Sequence, residues 1–180
     1  MLFALLLIAP TTLAKVRLPK LVSDKMVLQR DVELNIWGWA SAGEKVTVRF
    51  NGAYYETEAN SNGEWSVLLP PQKAGGPYLL EVNELKVRDV LVGDVWLCSG
   101  QSNQETPIVR LVDKFPEINV SNNHMIRHYK VPTQEITDGV QQEIAGNAVW
   151  HSGVASEVLN WTALAYFYAQ EAYAKTKVPQ

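Results

Sequence analysis

Between Lys45 and Phe50, the apolar residues Val46, Val48 and Phe50 alternate with Lys45, Thr47 and Arg49. This is the period-two pattern of a half-buried strand. Asn51-Gly52 follows, the dipeptide best suited to a type I′ hairpin, and "AYYETEA" supplies the returning partner. A second turn signal, Asn60-Ser61-Asn62-Gly63, leads into "EWSVLL", and Pro70-Pro71 and "AGGP" punctuate the chain before "YLLEV". Strands at this short, regular spacing predict an antiparallel β-sandwich over residues 15–89.

The texture changes near Val90. "VLVGDVWLC" is almost continuously apolar, as expected of a strand covered on both faces. "PIVRLVDKF" predicts a short helix with Pro107 in its first turn, and "MIRHYKV" a further strand. Trp161, Leu164, Ala165, Tyr168 and Ala172 fall on one face of a helix expected from about Asn160 to Lys175. Strand, helix, strand, helix is the opening of a parallel α/β sheet, assigned to residues 90–180. The fold class expected is therefore mixed, a sandwich followed by the start of an α/β unit.

The first residues, "MLFALLLIAPTTLA", are apolar and end in small side chains. They read as the hydrophobic part of a signal peptide over residues 1–14, without a basic start, and imply a secreted or periplasmic protein. The run is too short, and too broken by Pro10, to span a bilayer. A net charge of -3 over 180 residues leaves no footprint for nucleic acid or an anionic membrane. Cys98 is the single cysteine, which excludes an internal disulfide, and its place in the apolar run reads as a small buried hydrophobe. No His/Cys/Asp cluster has metal-ligand spacing and no Gly-rich loop suits phosphate, so neither metal nor cofactor is expected.

The apolar run ends abruptly in "SGQSNQE", residues 99–105. In α/β sheets, ligands bind where strands end at their carboxyl edge. A serine there can act as a nucleophile while backbone N–H groups of the turn face a developing oxyanion. On residue types alone, a turn or helix cap is the simpler account of Ser102 and Asn103.

"LVSDKMVLQRD" (21–31), "IWGWA" (36–40), "GEWSVLLPP" (63–71), "AGGPY" (74–78) and above all "VLVGDVWLCSGQSN" (90–103) tip that balance. With them the chain resembles the sialate O-acetylesterase family of SGNH (GDSL-like) hydrolases from about Arg17 to its end. The resemblance implies an N-terminal β-sandwich and a flavodoxin-like three-layer SGNH domain, and removal of O-acetyl groups from sialic acid or another acetylated glycan. It also implies Ser102 as nucleophile and backbone oxyanion donor. Gln101 and Asn103 would shape the turn and line the pocket, and Glu105 would be the acidic residue that follows. Gln104 departs from the family, where Met is usual.

A serine hydroxyl needs a base. The resemblance places it in an Asp-x-x-His pattern near the end of the SGNH domain. His124, His128 and His151 are preceded three residues earlier by Ser121, Met125 and Ala148, so none fits. His128 and His151 read as structural or exposed. The expectation is an esterase whose base lies outside these residues and which needs a C-terminal remainder. The competing reading is a glycan-binding or structural sandwich without catalysis, with Trp37, Trp39, Trp65, Tyr54 and Tyr55 as its aromatic surface.

Overall fold

Nine strands and two helices form in the computed structural model, which describes residues 15–135, 137 and 139–180. The segment read as a signal peptide lies outside the described residues. The strands are β1 (Val27–Gln29), β2 (Leu34–Trp39), β3 (Lys45–Phe50), β4 (Ala53–Glu58), β5 (Glu64–Leu69), β6 (Gly75–Val82), β7 (Leu85–Gly93), β8 (Asn122–Tyr129) and β9 (Trp150–Val154). The helices are α1 (Ala155–Val158) and α2 (Ala163–Thr176).

The alternation in β3 does what its pattern requires. Val46, Val48 and Phe50 are buried, while Lys45 and Arg49 reach solvent. Asn51 and Gly52 both take positive φ, 48° and 82°, which is the type I′ condition, and the hairpin closes with Phe50 opposite Ala53. The next turn is held by the Asn60 side chain, whose Oδ1 accepts from the N–H groups of Asn62 and Glu64. Leu34, Ile36, Trp65 and Leu69, from the two-stranded β2–β5 sheet, meet Val46, Val48, Phe50, Leu80, Val82, Val87, Val90 and Val92 in one core. Each fully buried aliphatic or Phe side chain of this kind contributes about 1.5–3 kcal/mol.

The larger sheet has the order β1-β7-β6-β3-β4. It is mixed rather than antiparallel as expected, because β1 runs parallel to β7, with Val27 opposite Leu91. That pairing also explains the apolar run from Val90. Val90, Leu91 and Val92 are buried as the end of β7, so this strand crosses residue 90 without a break. Beyond Gly93 the run leaves the sheet, and Leu97 is 94% exposed. Cys98 is exposed too, contrary to the reading of a buried hydrophobe. Apolar sequence is buried only where a neighbouring element covers it. No strand pairs with residues 95–98 among the described residues.

The second region also departs from expectation. β8 and β9 pair antiparallel, with His128 opposite His151. A parallel pair needs a crossover, usually a helix, between its strands, and here α2 follows β9 instead of preceding it. A parallel contact survives at residue 180, where Gln180 N–H donates to Met125 O and Arg127 N–H donates to Gln180 O, both at 2.8 Å. Residues 108–111 form a 3₁₀ turn rather than an α-helix, and the Ile108 and Val109 N–H groups donate to the carbonyls of Trp161 and Leu159. The helix expected near residue 160 is α2, but its buried face is Ala163 and Tyr166, with Phe167, Ala169 and Tyr173 alongside. Leu164 and Tyr168 point to solvent. "ALAYFYAQEAYA" is apolar around much of its circumference, so the face is selected by packing on Ile118 and Ile126 and by the bond from Tyr166 Oη to Ser121 Oγ.

Polar links lock the two regions together. Arg127, with its side chain 2% exposed, donates to Asp89 Oδ1 at 2.9 Å and to Ser152 Oγ. Lys25 Nζ lies 3.0 Å from Glu157 Oε1, Trp150 Nε1 donates to Leu21 O, and Asp94 N–H donates to Pro179 O.

Candidate active site

The polar corner after the apolar run is a chain of tight turns. Gln104 N–H donates to Gln101 O at 2.8 Å, Glu105 N–H to Ser102 O at 3.2 Å and Thr106 N–H to Asn103 O at 3.4 Å. This uses the carbonyls and leaves the N–H groups of Ser102 and Asn103 without acceptors among the described residues. Gly100 keeps the corner tight, since a Cβ there would stand 3.1 Å from Gln104 Cβ and push that side chain aside.

A clamp to α2 fixes the corner from behind. Thr162 Oγ1 donates to Gln104 O, Gln104 Nε2 reaches Thr162 Oγ1 at 3.4 Å, and Ala163 N–H donates to Thr106 O at 2.9 Å. Gln104, the residue that departs from the family pattern, thus carries a polar tie. Thr162 lies 58 residues away, so no local pattern discloses the pair.

Gln101, Ser102, Asn103 and Glu105 are all exposed. No side chain among the described residues hydrogen-bonds to Ser102 Oγ. A groove of about 470 Å³ opens beside the corner, between residues 94–100, β8 and α2. Gln104 and Glu105 line it; Gln101, Ser102 and Asn103 stand outside its walls. The four site residues are thus brought together on one corner, with Glu105 facing the groove.

His128 lines the same groove. It is not an exposed strand residue; its ring stacks on Trp161 with centroids 4.9 Å apart. Burial lowers its pKa from 6.5 to about 4, assisted by the nearby charges of His151 and Lys130. The imidazole is therefore neutral at pH 7, and its Nδ1 is buried without a partner. His151 Nδ1 lies 3.2 Å from Glu157 Oε2, which also accepts from Ser152 N–H at 2.7 Å. Burial raises the Glu157 pKa, but the Ser152 N–H and Lys25 outweigh it and hold the carboxyl below its usual range. None of His124, His128 and His151 hydrogen-bonds to Ser102.

No protein-family model matches the chain. It is 30% identical over 151 residues to sialate O-acetylesterase from Pongo abelii, which covers 74% of this chain and 29% of that protein. The rat sialate O-acetylesterase (Rattus norvegicus) is 32% identical over 117 residues, 57% of this chain and 22% of that one. The chain thus spans less than a third of the curated relatives it matches. A solved carbohydrate acetylesterase from Xanthomonas citri superposes on 92% of the chain, and on 39% of its own length, with a TM-score of 0.87 at 39% identity. Shared sequence and a shared mixed α/β fold with few helices place the chain in the sialate O-acetylesterase family.

Proposed function

We propose that this chain carries the nucleophile of a carbohydrate acetylesterase, and that Ser102 is that nucleophile. One observation carries the proposal: on an exposed corner clamped to α2, Ser102 presents a hydroxyl and a backbone N–H that have no partner among the described residues. The names of its relatives, sialate O-acetylesterase and carbohydrate acetylesterase, supply the substrate class, an acetylated sugar.

In the first step Ser102 Oγ attacks the acetyl carbonyl carbon while a base takes the hydroxyl proton. The carbonyl oxygen becomes an oxyanion within reach of the Ser102 N–H, with the Asn103 N–H beside it. The C–O bond to the sugar then breaks, the sugar alcohol leaves with a proton, and acetyl-Ser102 remains. Water attacks the acetyl group, giving acetate and regenerating the serine.

No described imidazole bonds to Ser102, so we assign the base to residues outside these 180. By itself the chain is expected to hydrolyse an aryl acetate at least about 10³-fold more slowly than an enzyme with its base in place. Export through residues 1–14 belongs to the same proposal. In the gene product carrying this segment, Ser102→Ala should abolish acetate release from an O-acetylated sugar and leave the fold intact by circular dichroism. Undiminished release by that variant would refute the assignment.

A further inference from the structure

The outer face of the β2–β5 ribbon is unusual for a sheet surface. Its inner residues, Leu34, Ile36, Trp65 and Leu69, fill the core, whereas Asn35, Trp37 and Trp39 alternate outward on β2. Across the ladder Trp37 faces Ser66 and Trp39 faces Glu64. Gly38 separates the two tryptophans because a Cβ there would meet Arg17 O at 2.3 Å and the Trp65 ring at 2.8 Å.

These residues line a cavity of about 680 Å³, and Gln142 reaches it from the second region. Trp39 is held by Arg17, whose guanidinium lies 3.7 Å from the ring centroid. Asn35, Ser66 and Gln142 make no side-chain hydrogen bond among the described residues. Trp65, also in the lining, has a buried Nε1 without an acceptor. Trp37 is half-buried, its ring also packed at the edge of the core. Tyr54 and Tyr55 do not line the cavity, and Tyr54 is exposed beneath Arg49.

We propose that this cavity is a glycan subsite, in which Trp37 takes the apolar face of a pyranose ring and Trp39, its ring under Arg17, forms the adjoining wall. Amide and hydroxyl side chains take the ring hydroxyls. The charged residues lining it are Glu58 and Glu64, and the Arg17 guanidinium beside it is already engaged by Trp39 and Glu143, so the occupant is a neutral glycan rather than a sialic acid carboxylate. The subsite rests on the esterase reading only for its substrate class, an acetylated sugar, and it is tested without any ester.

The test titrates the 180-residue chain with cellohexaose, xylohexaose, mannohexaose and sialyllactose, following tryptophan fluorescence and calorimetry. Saturable binding of at least one neutral hexaose is expected, with sialyllactose not bound. Trp37→Ala should weaken it at least about tenfold, Asn35→Ala, whose side chain bonds to nothing here, about threefold, and Ser102→Ala not at all. No neutral hexaose binding at millimolar concentrations, preference for sialyllactose, or binding indifferent to both Trp37→Ala and Asn35→Ala would each overturn the proposal. A failed Ser102 assignment would leave these titrations unchanged.

Discussion

At Ser102 the chemistry depends on what the hydroxyl lacks as much as on where it sits. A serine buried in a hydrogen-bond network is a structural residue, whereas this one stands free on a turn whose carbonyls are already used. Thr162 is the side chain that makes the corner rigid. Thr162→Val removes the bond to Gln104 O, and kcat of the full gene product on an acetyl ester should fall about tenfold with little change in KM. Equal activity in the variant would show that the clamp is not a positioning device. His128 gives a second residue-scale consequence. Its folded pKa is depressed from 6.5 to about 4, so the unfolded chain binds more protons between those values. Stability is complete above pH 6.5 and is lost as pH falls toward 4, by about 3 kcal/mol from this residue. Denaturant unfolding at about pH 7 and 4.5 should show that loss, and His128→Phe, which keeps the stack on Trp161, should flatten it.

Elements were legible in the sequence where their pattern had one physical solution. Val46, Val48 and Phe50 alternate beside Asn51-Gly52, and β3, its turn and β4 follow from those residues alone. The run from Val90 to Cys98 had two solutions, since its first half is the end of β7 and no strand pairs with its second half among the described residues. The buried face of α2 was hidden because apolar residues surround the helix, and Tyr166 wins it by bonding Ser121 from a different element. The link from β7 to β8 was equally invisible, because Asp89 and Arg127 are 38 residues apart. It is nonetheless strong. Asp89→Ala strips one partner from a buried guanidinium, which should cost about 2 kcal/mol and lower Tm by about 4–8 °C. A thermal melt unchanged by that substitution would mean the pair contributes nothing net.

For the whole molecule, the β-sheet core and the region bearing Ser102 are joined by half-buried ion pairs. The Ser102 corner therefore takes its orientation from the sheets behind it. Of the candidate site, Ser102 and its neighbours were readable because a polar run follows an apolar strand and matches a long family motif. The tryptophans of β2 and β5 were readable as a set but not as a surface. Only the register shows Trp37 and Trp39 outward and Trp65 inward.

The most direct measurement is covalent. The gene product carrying this segment is treated with an aryl fluorophosphonate, digested, and mapped by mass spectrometry. A single adduct on Ser102, formed in step with loss of acetylesterase activity and absent in Ser102→Ala, is the result expected. Loss of activity with the adduct on another residue, or full activity in Ser102→Ala, would contradict the account.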